Sequence, residues 1–75
     1  MSKQIPVNIK VKFAGEIFHL ENHESRPKSE KSGVVIWLKM RPANEVQPMA
    51  EIPDGTLDKY KHCRPQIVSC DWIAA

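Results

Sequence analysis

Ile5, Val7, Ile9, Val11 and Phe13 occupy five consecutive odd positions, with Asn8, Lys10 and Lys12 among the even positions between them. A period of two marks a β-strand that buries one face and wets the other, because successive side chains point to opposite sides. The pattern therefore separates a core-facing row from a second surface carrying a short series of cations that folding alone does not require.

Ala14-Gly15 follows, and then Glu16, Ile17, Phe18, His19, Leu20 and Glu21. A turn at Ala14-Gly15 sets Phe13 opposite Glu16, Val11 opposite Phe18 and Ile9 opposite Leu20, so the apolar rows of both strands coincide. On the other face Lys12 meets Ile17, Lys10 meets His19 and Asn8 meets Glu21. A four-residue loop keeps the same facing, so the turn type stays open while the faces do not.

Residues 21–33 hold no large apolar side chain, and Glu21, Glu24 and Glu30 offset Arg26, Lys28 and Lys31. This is read as a mobile polar loop. Val34 to Met40 is the strongest β segment after the hairpin, and Arg41-Pro42 closes it. Being apolar on both faces for most of its length, it is expected at the centre of the sheet, with Val34, Ile36, Leu38 and Met40 toward the core and Val35, Trp37 and Lys39 opposite. Pro48 and Pro53 argue for extended or irregular backbone from Ala43 to Pro53. Pro53-Asp54-Gly55 marks a turn, after which residues 56–62 can form a short helix capped by Asp54 or Thr56. The last strand, Gln66 to Ile73, is expected to turn Val68, Cys70 and Trp72 to one side and Ile67, Ser69, Asp71 and Ile73 to the other. The expected fold is mainly β: one domain over residues 1–75, with an antiparallel sheet of four or five strands curled into a small barrel or sandwich and at most one short helix near 56–62.

With 75 residues, such a domain buries only about 60% of the surface its unfolded chain exposes, which favours association with a partner or a second copy. The apolar run Val34–Leu38 is too short to cross a bilayer, and the opening Met-Ser-Lys-Gln-Ile-Pro lacks the apolar core of a signal peptide, so a cytoplasmic protein is expected. Eleven Lys and Arg against nine Asp and Glu give a formal charge of +2. That balance permits nucleic-acid binding without arguing for it, and it excludes an acidic mimic of DNA.

No GxSxG elbow, Gly-rich phosphate loop or HExxH helix is present, and three glycines in a few short elements leave little scope for a substrate pocket. No catalytic residue and no cofactor is expected. His19, His23, His62, Cys63 and Cys70 lack the paired spacing of a metal site, and the two cysteines are read as free, half-buried thiols.

Two binding readings remain. The first is a non-catalytic module that acts by protein contact, with another copy of itself or with a target. Ile17, Val35, Trp37, Ile67 and Ile73 all fall opposite the core face of their strands, and together they would make an apolar patch centred on Trp37. Such a module would suit an accessory or inhibitory protein of a phage or other mobile element. The alternative is a single-strand nucleic-acid binder of OB-like type. Lys10, Lys12 and His19 on the wet hairpin face, together with Lys59, Tyr60, Lys61 and Arg64, interleave cations with aromatic and imidazole rings as phosphate and base recognition requires.

Overall fold

A computed structural model describes residues 4–42 and 45–74. The chain is mainly β, with strands β1 (Gln4–Phe13), β2 (Glu16–Asn22), β3 (Val35–Arg41), β4 (Glu45–Glu51) and β5 (Gln66–Ala74) and one short helix, α1 (Leu57–Tyr60). They form two antiparallel sheets, one of three strands in the order β2-β1-β5 and one of two, β3-β4. Among the described residues the sheets do not close into a barrel. No helix there is long and apolar enough to cross a membrane.

The β1–β2 hairpin has the register set by its alternation: Phe13 pairs with Glu16, Lys12 with Ile17, Val11 with Phe18, Lys10 with His19 and Ile9 with Leu20. Ala14 and Gly15 make the turn with φ of 51° and 79°. Two left-handed central residues are the I′ geometry, whose twist matches that of the flanking strands. The expected pairing of Asn8 with Glu21 is absent from the ladder, which resumes at Val7 and Asn22.

The cause lies in Asn8, whose φ is 49°. Asparagine is among the few non-glycine residues that enter this region readily. Against β5, Val7 pairs with Asp71, Lys10 with Ser69 and Val11 with Ile67, so β1 first spends an extra residue near Asn8 and β5 then spends one at Val68. The two irregularities cancel, but each reverses side-chain parity where it occurs. Pro6 is consequently buried in place of Ile5 and Val7, which are half-buried, and Ile67 packs on the core while Val68 is 58% exposed. The assignment of Ile67 to the face opposite the core is thereby corrected.

The placement of β3 at the centre of a sheet is also corrected. Its ladder partner is β4 alone. Along its other edge the amide of Ile36 donates to the carbonyl of Pro27 at 3.1 Å, and the amide of Ser29 donates to that of Val34 at 2.9 Å. The backbone of the polar segment thus satisfies the first part of an edge where a central strand would have a second neighbouring strand. Ser29, which nothing in its polar run marks for burial, is 5% exposed.

The core joins both sheets: Ile9, Val11 and Phe13 from β1, Phe18 and Leu20 from β2, and Val34, Ile36 and Leu38 from β3 and the residue before it. Met40, expected in the same row, is 40% exposed at the far end of β3. α1 is shorter than the span 56–62. Thr56 stands at its N-cap, yet the Thr56 hydroxyl donates back to the carbonyl of Pro53 at 2.9 Å, so the expected side-chain cap is not made.

Candidate functional site

After β4 the chain turns at Pro53-Asp54-Gly55, runs through α1 and returns by Cys63–Pro65 to β5. This excursion lies over the turn end of the first hairpin. Tyr60 tilts against Phe13 with ring centroids 5.8 Å apart, and the amide of Cys63 donates to the carbonyl of Tyr60 at 2.9 Å, which closes the helix end.

Between the excursion and β4 lies a cleft of ≈ 400 Å³, with Phe13, Ala50, Ile52, Tyr60 and Cys63 among its apolar lining residues. One wall is formed by Gln47, Pro48, Met49 and Ala50. The faces of a strand take alternate residues, so four in succession can line a cleft only along the strand edge. That edge is the one turned away from β3. Pro48 fits there, because its missing N–H costs nothing on the side where no ladder bond is made. Leu57, Lys61 and Arg64 complete the lining.

The surroundings are cationic. Lys12, His62, Arg64 and Gln66 line a second, shallower recess beside the Ala14-Gly15 turn, so Arg64 stands between recess and cleft. Among the described residues no carboxylate lies within ion-pairing distance of Lys12, Lys59, Lys61 or Arg64. Unpaired like charges around a concave apolar surface raise the local potential and attract an acidic group.

Of the residues singled out by sequence, Lys12 and Arg64 are brought together, and Lys61 joins Arg64 on the cleft. Lys10 and His19 are exposed cross-strand partners farther along the outer face. Lys59 holds its ammonium 5.4 Å from the Tyr60 ring centre, and with Phe13 also against it that ring is already engaged.

The apolar set does not gather around Trp37. Trp37 is half-buried opposite Met49, with the Arg26 guanidinium 5.0 Å from its ring centre. Val35 is half-buried opposite Glu51. Ile17 and Ile73, 55% and 47% exposed, neighbour Lys12 and Ile5 of β1 in the other sheet. Those two positions are separated by roughly 23 Å of strand at about 3.3 Å per residue.

Sequence reasoning missed the cleft residues Phe13, Ala50, Ile52, Leu57 and Cys63 as a group. The signal available was Pro48, which marks β4 as an edge, together with the turn that sends residues 56–65 back across the hairpin end. Elsewhere, burial, reinforced by the Asp71 carboxylate, pushes the Cys70 thiol above its ordinary pKa against the opposing hydrogen bond from the Val7 backbone. No protein-family model, curated protein or solved structure matches the chain.

Proposed function

We propose that this protein is a non-catalytic binding module whose cleft takes a segment of a partner protein, with an aliphatic side chain on the floor and an acidic group against Lys61 and Arg64. The observation that carries this reading is the convergence, at one place, of an apolar floor, an unpaired strand edge and cations without internal partners. The scaffold, read as a small open sandwich, leaves its end free for the purpose. Protein recognition characteristically uses an apolar anchor within a charged rim, and each buried aliphatic anchor contributes about 2 kcal/mol. Pro48 interrupts any backbone ladder along β4, so specificity falls to the floor and the rim. Pull-down with the immobilised protein tests the reading. Proteins retained by the wild type after nuclease treatment should be lost with Leu57→Asp and with Arg64→Glu, both exposed positions whose replacement leaves the fold intact. Retention of the same proteins by both variants would remove the cleft from consideration.

A second reading, single-strand nucleic-acid binding, is favoured by the recess that unites Lys12, His62 and Arg64. The two rings it would stack on, Tyr60 and Trp37, each already carry a cation over one face. Its signature is a steep loss of affinity with salt, lowered by roughly 1 unit of slope for each phosphate-contacting cation removed. Arg64→Gln should produce that change if this reading holds, and a salt-independent titration with an unstructured oligonucleotide would exclude it.

A further inference from the structure

We infer that the acidic group this protein recognises is a phosphate monoester, carried by a phosphorylated serine or threonine of the segment in the cleft and seated in the recess of Lys12, His62, Arg64 and Gln66. The inference rests on the cleft reading for the carrier of the phosphate and adds the chemistry of a second contact beside it.

The recess is built by alternation. From His62 to Ile67 exposure alternates strictly, with His62, Arg64 and Gln66 exposed and Cys63, Pro65 and Ile67 half-buried. Cys63 and Ile67 pack against the core, so the row is anchored from behind while its three donors face outward. Proline disfavours helical backbone in the residue before it, which keeps Arg64 extended. Gln66 pairs with Lys12 of β1. Opposed residues of an antiparallel pair have Cα atoms about 4.5–5.5 Å apart, and Arg64, two residues before Gln66, follows roughly 7 Å along the same side. An ammonium, a guanidinium, an imidazole and a carboxamide therefore border one recess beside the Ala14-Gly15 turn. All four can donate hydrogen bonds.

No carboxylate borders the recess. Glu16, one step along the hairpin from Lys12, pairs with Phe13 and is engaged by the Ser29 hydroxyl. One guanidinium can match one carboxylate, whereas a phosphate monoester brings about 1.5 to 2 negative charges and three terminal oxygens, which is the demand that several donors from different directions meet. A nucleic-acid strand would also need a stacking surface, and no Phe, Tyr or Trp borders the recess. The same lining offers no large apolar wall for a tyrosine ring, so the carrier is serine or threonine. Cys63 and Arg64 border both recess and cleft, so a chain whose aliphatic side chain fills the cleft passes directly beside the phosphate seat.

Titration of the isotopically labelled chain with N-acetyl-phosphoserine amide should give saturable amide shifts at Lys12, His62, Arg64 and Gln66, absent with N-acetyl-serine amide. Lys12→Gln and Arg64→Gln should each weaken binding about threefold. Lys39→Gln, an exposed position in the other sheet, should leave it unchanged. Proteins retained by the wild type after nuclease treatment should be lost when the lysate is treated with phosphatase. No saturable shift at millimolar probe would overturn the proposal, as would equal weakening by Lys39→Gln, the mark of general charge attraction. Equal binding of dimethyl phosphate would overturn it in favour of a nucleic-acid backbone. Retention that survives phosphatase but is lost with Leu57→Asp would overturn it and leave the cleft reading in place. Loss with phosphatase but retention by Leu57→Asp would support the phosphate contact and overturn the cleft.

Discussion

The hydroxyl of Ser29 donates to both carboxylate oxygens of Glu16, at 2.8 and 3.0 Å, and so fastens the segment that pairs with β3 to the first residue of β2. The same oxygen accepts from the amide of Ser32 at 3.2 Å. One small side chain links the two sheets through their connection.

Ser29→Ala removes these bonds and leaves the partly buried Glu16 carboxylate without its protein donor. Hydrogen bonds to charged groups contribute about 1.5–3 kcal/mol, and partial solvent access places the loss near the lower figure. Urea denaturation should show a lower midpoint with an unchanged slope, and a loss below about 0.3 kcal/mol would mean that the link is not made in solution.

Ala14 holds a left-handed conformation that costs a non-glycine residue about 1–2 kcal/mol, whereas Asn-Gly is the preferred pair for an I′ turn. Ala14→Asn should stabilise the domain by roughly 0.5–1 kcal/mol, read as a rise in Tm. A fall would show that the turn differs from I′.

Asn8 creates the first of the two register offsets along β1. Asn8→Gly should be tolerated, while Asn8→Val, which resists positive φ, should cost about 1–2 kcal/mol and disturb the amides of Val7 and Lys10 in exchange experiments. Equal stability of the two variants would remove backbone conformation as the reason for asparagine here.

Val11 is buried and its neighbour Lys12 is exposed. Val11→Ser should therefore cost about 2–4 kcal/mol through lost burial and an unpaired hydroxyl, against less than about 0.5 kcal/mol for Lys12→Ser. Chemical denaturation of the pair measures which face is buried.

The raised pKa of Cys70 means that the folded chain prefers the neutral thiol. Below the ordinary thiol pKa both states are protonated and stability is unaffected. As pH rises through that value the unfolded chain ionises first, so stability falls on the alkaline side. Alkylation of Cys70 at a fixed mildly alkaline pH should be slower in the folded protein than in urea, and Cys70→Ser should lose this part of the alkaline decline.

The hairpin was legible because nine residues of strict alternation and a short turn leave one register that buries Ile9, Val11, Phe13, Phe18 and Leu20 together. Asn8 hid the rest. A left-handed residue in β1 and an extra residue at Val68 in β5 change which side chains face inward without altering the apolar pattern, so neither Pro6 nor Ile67 could be assigned from periodicity. The run Val34–Leu38 reads as a central strand because both its faces are apolar, yet backbone from residues 27–29 and the Arg26 side chain over Trp37 supply its cover. The cleft was not legible at all, since its floor and walls come from β1, β4, α1 and the segment after it, and nothing in a linear pattern records which distant elements meet.

Pro48 decides how far the two-stranded sheet can grow at its outer edge. A sheet with several open sides can add chain after chain and end as a fibre, whereas a side with no amide to offer at its centre gives the next strand nowhere to continue. With β4 closed in this way, the two-stranded sheet offers no template beyond β4, and its size is set within the chain.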